Sequence, residues 1–204
     1  EDLKDFYPCL PGETPISWLW ARTAICPNPA CGIETVLTTS WWLSKKKNEL
    51  AWIEPQVAGK AVALEVTSGQ KAGQPPAPPK AARGASFACL GCGQILTEEY
   101  LEEQGESRGL GLRMTCVVAE VGGRRIYRAP LPNEVDSTRV VPYEAWFPEI
   151  TASDGGTRRR FGLDHQADLY TPRQLHTLTT LADQVALIHN EIIEEGGSVA
   201  WADA

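Results

Sequence analysis

Two short cysteine pairs constrain this chain more than any other feature: Cys26-Pro-Asn-Pro-Ala-Cys31 and Cys89-Leu-Gly-Cys92. Glycine follows each pair at once (Gly32, Gly93), so each reads as a tight turn that sets two sulfurs side by side with backbone N–H groups aimed at them. Two such knuckles make a four-sulfur site of the closed, structural zinc type, and their spacings match known zinc ligand pairs. Residues 32–88 separate the pairs, more than a minimal ribbon needs, so tertiary structure must bring the halves together. Two disulfides, four unrelated buried thiols and a rubredoxin-like iron site share the pattern. Zinc is favoured because nothing else in the chain looks secreted and no redox partner motif accompanies the cysteines. The expectation is structural Zn2+ held by Cys26, Cys31, Cys89 and Cys92.

At 204 residues the chain is long enough for one domain or two small ones. Six cysteines suit a disulfide framework only in a shorter, exported protein. The first residues, Glu1-Asp2-Leu3-Lys4-Asp5, lack a basic stretch followed by an apolar one. No apolar run approaches the roughly 20 residues that cross a membrane. The expected setting is therefore cytoplasmic and reducing, with no membrane partner. Met114 is the only methionine, and Ser198-Val-Ala-Trp201-Ala-Asp-Ala204 reads like the opening of a helix cut short. Both suggest a piece of a longer protein whose catalytic residues lie elsewhere. A net charge of −7 argues against general nucleic-acid binding through bulk electrostatics, so any such contact must be local.

Residues 16–25 alternate like a strand running into the first knuckle, and the β-rich run 33–43 leaves it. Lys45-Lys46-Lys47-Asn48 reads as a turn, followed by strands near 49–54 and 61–67 around Gly59-Lys60, an antiparallel meander grown out of the knuckle. Residues 69–86 are rich in Pro, Gly and Ala, from which no core is expected, and form a loop feeding the second knuckle. Thr97-Glu98-Glu99 opens a short acidic helix, its carboxylates where the helix dipole favours them. Residues 112–121 and 124–129 flank Gly122-Gly123, a hairpin signal. Thr171-Pro172-Arg173-Gln174 supplies an N-cap, an N1 proline and a capping-box glutamine for a helix over 172–195. Leu175, Leu178, Ala182, Val185, Ile188 and Ile192 form its apolar stripe, and Gly196-Gly197 ends it. The fold class expected is α+β, mainly β: a four-cysteine zinc ribbon enlarged by antiparallel strands, with a long C-terminal helix. A zinc-ribbon β domain over 1–130 is followed by an extended segment and the helix over 131–204.

Three stretches together carry a resemblance: Trp18-Leu-Trp-Ala-Arg22-Thr leading into Cys26-Pro-Asn-Pro-Ala-Cys31-Gly; Ser40-Trp41-Trp42-Leu-Ser-Lys45-Lys46-Lys47; and Leu169-Tyr-Thr-Pro172-Arg-Gln174-Leu. The chain resembles the zinc-ribbon-containing region of a family of large bacterial and archaeal adenine-specific DNA methylases, over most of residues 7–195. In that family the ribbon looks like an insertion between the cofactor-binding glycine motif and the Asn/Asp-Pro-Pro-Tyr motif. The resemblance implies a parent chain that uses S-adenosylmethionine to methylate adenine N6, and a methylase core of that same chain as partner. Only the metal ligands Cys26, Cys31, Cys89 and Cys92 carry over. No Gly-x-Gly loop follows a strand here, and Pro27-Asn28-Pro29 lacks the aromatic that would stack on a flipped base. S-adenosylmethionine is thus expected only for the parent protein, and this chain alone is not expected to be an enzyme.

Cys116, between Thr115 and Val117, reads as a buried structural thiol, and Cys9 as a ligand only in a permuted ribbon. His165, His176 and His189 have no partner at ligand spacing, and paired acids such as Glu98-Glu99 and Glu102-Glu103 read as solvated helix faces. Basic clusters stand at Lys45-Lys46-Lys47, at Arg124-Arg125 with Arg128, and at Arg158-Arg159-Arg160. Each reads as a solvated turn tip or as a phosphate contact. Lys45, Lys46 and Lys47, with Arg158, Arg159 and Arg160, are the candidates for duplex DNA. The leading expectation is a zinc-binding accessory region of a DNA adenine methyltransferase with a structural and DNA-contacting role. The alternative is an architectural or protein-interaction ribbon without nucleic-acid contact.

Overall fold

Strand β1 (Thr14–Ile25) organises the chain, because it pairs on both sides. The computed structural model describes residues 3–107, 109–136, 161–163 and 165–202. In the four-stranded antiparallel sheet β1 lies between β2 (Glu34–Leu37) and β8 (Gly111–Val121), and β8 also pairs with β9 (Arg124–Arg128). A second, three-stranded sheet is the meander β3 (Trp42–Lys46), β4 (Glu49–Ala58) and β5 (Ala61–Gln70). The two-residue strands β6 (Phe87–Ala88) and β7 (Ile95–Leu96) form a minimal third pair. The mainly β character is as the sequence leads one to expect.

The run 33–43 is not one element, however. Thr38 donates its hydroxyl to the Ser40 carbonyl (2.8 Å), and the Ser40 hydroxyl accepts from the Trp42 N–H (3.1 Å). These local side-chain bonds compete with the ladder and turn the chain out of the first sheet into the second. The three lysines are also not all turn: Lys45 and Lys46 end β3, and the reversal falls at Lys47-Asn48, where Asn48 takes φ +63°. Asn tolerates that left-handed conformation better than most residues.

Two cores result. One lies between the sheets, with Val36, Cys116 and Val118 facing Trp41 and Ile53. The other gathers Ala24, Ile33, Val62, Phe87, Leu96 and Leu101 around the cysteine pairs. Leu64 and Leu90 touch both, so the cores are continuous. The Pro/Gly-rich stretch contributes more than expected. Trp41 donates its indole N–H to the Ala77 carbonyl (3.3 Å), and Gly73 lies so close to the Trp52 ring that a Cβ there would sit 2.7 Å from it. Pro79 and Ala85 are buried, and the Ala88 N–H bonds the Pro79 carbonyl (2.7 Å). The stretch is thus a strap laid over tryptophans and delivered straight into the second knuckle.

Helix α1 (Glu98–Glu106) is capped by the Thr97 hydroxyl, and a short helix α2 (Pro132–Asp136) follows β9. The long helix α3 (Pro172–Glu194) begins with the full capping box: Thr171 accepts from the Gln174 N–H and Gln174 from the Thr171 N–H. Its first turns dock on the outer face of β1. The buried Arg173 guanidinium lies 4.5 Å from the Tyr7 ring and 5.1 Å from that of Trp18, and donates to the Phe6 carbonyl (2.8 Å). Beyond those turns the stripe leaves the body: Leu178, Leu181, Val185 and Ile188 are exposed, Val185 by 69%. Leu175 and Ile192 are half-buried. Helix α4 (Val199–Ala202) folds back, bringing Trp201 toward Gly197. A stripe this wide drives association. The chain is expected to self-associate in sedimentation equilibrium, and Val185→Glu with Ile188→Glu to make it monomeric with an unchanged melting temperature. A parent chain that stays monomeric throughout would contradict this.

Candidate metal centre

Each cysteine pair sits in the turn of a hairpin. Cys26 follows β1 directly, and its N–H bonds the Ile33 carbonyl (2.9 Å) just before β2 begins. Cys89 follows β6, and its N–H bonds the Gln94 carbonyl (2.8 Å) just before β7. Gly32 and Gly93 take φ +61° and +75°, left-handed values that reverse the chain after the second cysteine and favour glycine. Asn28 shapes the first turn: its side-chain oxygen accepts from the Ala30 N–H (3.0 Å) and its carbonyl from the Cys31 and Gly32 N–H groups (2.9 and 3.0 Å).

The hairpins meet with their sulfurs interleaved. The four Sγ atoms lie within 4.8 Å of one another, Cys26 Sγ 3.6 Å from Cys92 Sγ and Cys31 Sγ 3.7 Å from Cys89 Sγ. Sulfurs bound tetrahedrally at about 2.3 Å from one ion lie about 3.8 Å apart, so the set fits a single four-coordinate metal. None of the cysteines is in a disulfide. Cys26 and Cys89 are buried, Cys31 is half-buried and Cys92 is exposed, which places the site at the edge of a core. All four positions of such an ion are filled by protein, leaving none for a substrate.

The surroundings favour thiolate unevenly. Burial pushes the Cys26 thiol up to about 12, and hydrogen bonds to Cys89 and Cys92 add to it. Burial also acts on Cys89, but the Thr35 hydroxyl and the N–H groups of Cys92 and Gly91 outweigh it and bring that thiol down to about 6. The Gly91 N–H lies 3.4 Å from Cys89 Sγ, the kind of backbone bond a metal thiolate receives. Thr35 is wholly buried and accepts from the Leu90 N–H (3.3 Å), so one side chain ties β2 to the second knuckle. At Gly91 itself, a Cβ would lie 2.2 Å from Ile33 Cδ1 and 3.4 Å from Cys31 Sγ. The two knuckles therefore close on each other through a glycine. Tyr100 of α1 braces the site from outside, donating to the Ile25 carbonyl (2.8 Å).

Thr35 and Tyr100 carry no signal in the sequence, whereas Asn28 and Gly91 lie inside the two cysteine motifs, which do not show their roles.

The remaining candidate residues fall elsewhere. Cys116 is fully buried between the sheets, its thiol raised to about 11 by burial, and Cys9 is exposed and outside the cluster. His176 packs against Phe6 with ring centroids 4.6 Å apart, and His165 precedes the short 3-10 turn Gln166–Leu169. Lys45, Lys46 and Lys47 are exposed, with the Lys45 ammonium 5.7 Å from the Trp42 ring. Trp41 and Trp52 are buried, so they plug the core, and Trp42 is half-buried against Trp52. Arg158, Arg159 and Arg160 lie outside the described residues. Arg128 is taken up by Glu13 and Glu134, at 2.8 and 2.7 Å. No helix among the described residues is long and apolar enough to cross a membrane. Comparison with protein-family models, curated proteins and solved structures gives no match.

Proposed function

We propose that this chain is a zinc-stabilised accessory region of an S-adenosylmethionine-dependent DNA adenine N6-methyltransferase, folded round one tetrathiolate zinc and touching duplex DNA. The observation that carries the metal part is the interleaving of four sulfurs from two hairpin turns at tetrahedral spacing. Zinc is the metal proposed because a closed set of four cysteine sulfurs at a core edge is the arrangement of structural zinc sites. Its role is structural: it joins β1 and β2 to the small β6–β7 pair, which has too few residues to hold itself together.

The methylase assignment rests on the sequence resemblance around the first knuckle, Trp41-Trp42 and Pro172. The DNA contact rests on Lys45, Lys46 and Lys47, exposed at the end of a hairpin whose tryptophans anchor it to the core. Converting all three to glutamate is expected to abolish duplex binding while leaving metal content and melting temperature intact, since a hairpin tip adds little to the core. Parent binding should weaken as salt rises, these three phosphate contacts contributing about −3 to the log–log slope. If the parent chain does not shift duplex DNA at about 50 mM salt, the DNA role fails. The exposed apolar stripe of α3 would then favour the second reading, an architectural ribbon that docks on protein.

A further inference from the structure

The basic clusters at Lys45–Lys47 and Arg124-Arg125 are far apart in sequence and belong to different sheets. The fold brings them together. Strand β5 packs against β9, so the β3–β4 and β8–β9 hairpins end side by side. Between them lies a cleft of about 320 Å³, lined by Lys46, Asn48 and Glu49 from one hairpin and by Arg124, Arg125 and Tyr127 from the other.

We infer that this cleft is a phosphodiester-binding site, in which Arg124 and Arg125 act with Lys46 on the backbone of duplex DNA. The inference deepens the DNA contact proposed above and rests on it, but assigns it to residues that the lysine cluster alone does not include. Three cations converge on one small polar concavity in a chain whose net charge is −7. None of the three forms an ion pair among the described residues, in contrast to Arg128 of the same strand, which is held by two carboxylates. Glu120 lies opposite Arg125 in the β8–β9 register and does not pair with it. Glu49 also faces the cleft, which leaves the lining positive. Three like charges gathered round one carboxylate still repel, and an anion relieves that cost. Guanidinium groups suit a phosphate because their paired N–H donors match its oxygens, and Asn48 and Tyr127 supply neutral polar groups at the same place. A backbone phosphate, rather than a base edge, is the match, because three cations line the cleft and Tyr127 is the one aromatic ring among its lining residues.

The test compares three versions of the metal-loaded chain against a labelled duplex by anisotropy, between about 50 and 200 mM salt. They are the parent, Arg124→Gln with Arg125→Gln, and a charge-matched control, Lys60→Gln with Arg83→Gln, placed away from the cleft. All are checked for equal metal content and melting temperature. The cleft variant should bind about tenfold more weakly or worse, as loss of a charge-assisted contact implies, and its salt slope should be shallower by about 2. The control should match the parent. If the cleft variant matches the parent while the parent binds, the cleft is wrong and the lysine tip stands. If both double variants weaken equally, binding follows net charge and the cleft is again wrong. A parent that binds no duplex overturns the DNA contact and the cleft together.

Discussion

Stripping the metal from the four-cysteine site is expected to unfold at least residues 16–116. Structural zinc contributes roughly 10–16 kcal/mol of apparent free energy at neutral pH, comparable with or above the roughly 5–15 kcal/mol that a whole domain retains. The β6–β7 pair has two residues a side, and its Phe87 and Leu96, with Leu101 of α1, share a core with Cys26 and Cys89. Without the ion, the second knuckle is left with one Thr35–Leu90 hydrogen bond and the packing of Gly91 on Ile33. Cys89→Ser or a strong chelator should therefore abolish the cooperative thermal transition. Acid acts in the same direction. In the metal-free site Cys26, at about 12, and Cys31, raised as well, must each give up a proton to bind metal, whereas Cys89, at about 6, is already thiolate at neutral pH. Affinity thus falls as pH falls, most steeply once pH drops below about 6 and Cys89 protonates too. Metal release to a chromogenic chelator across pH reads this directly. A melting temperature that survives complete metal removal would contradict the expectation.

The second large effect belongs to Glu134, whose side chain is 1% exposed. Its carboxylate accepts two hydrogen bonds from Arg128 (2.7 and 2.8 Å) and one from the Leu131 N–H (2.7 Å), while Arg128 also reaches Glu13. This network ties the end of β9 to the start of β1 and to α2. Removing one partner of a buried pair costs about 3–5 kcal/mol, and Glu134→Gln should fall near 3 because Arg128 keeps Glu13 and some exposure. The pH sign follows from the shift. Burial raises the Glu134 carboxyl, but the Arg128 and Leu131 bonds outweigh it and hold it below the ordinary carboxylate value. Its contribution is then present above the unfolded carboxylate pKa and lost as pH falls through the lowered folded one. Glu134→Gln should lower the melting temperature at neutral pH and flatten its decline in acid. Equal melting curves for variant and parent would refute the network's role.

What was legible in the sequence was local. The knuckles, the Gly59-Lys60 and Gly122-Gly123 reversals and the caps at Thr97 and Thr171 are written in adjacent residues, and each marks the element it was read to mark. What was not legible joins distant residues. Strand β1 pairs with β8 across about half of the chain, and nothing in either strand names the other. The Thr38–Ser40 bonds that divide the strands between two sheets look like an ordinary β-rich run. The strap on Trp41 and Trp52 looks like linker, because proline and glycine signal the lack of regular structure, not the lack of contact. At the site, the four ligands stand out by spacing. Thr35 and Gly91 gain their roles only when the two hairpins close on each other.

Elemental analysis of the purified chain, paired with its absorption spectrum, tests the central claim most directly. One zinc per chain is expected, with no visible absorption. Cobalt in its place should give the intense bands of a tetrahedral tetrathiolate, and Cys26→Ser, Cys31→Ser, Cys89→Ser and Cys92→Ser should each lose or weaken the metal, while Cys9→Ser and Cys116→Ser keep it. Iron with a visible charge-transfer spectrum, or a folded chain that holds no metal, would contradict the account.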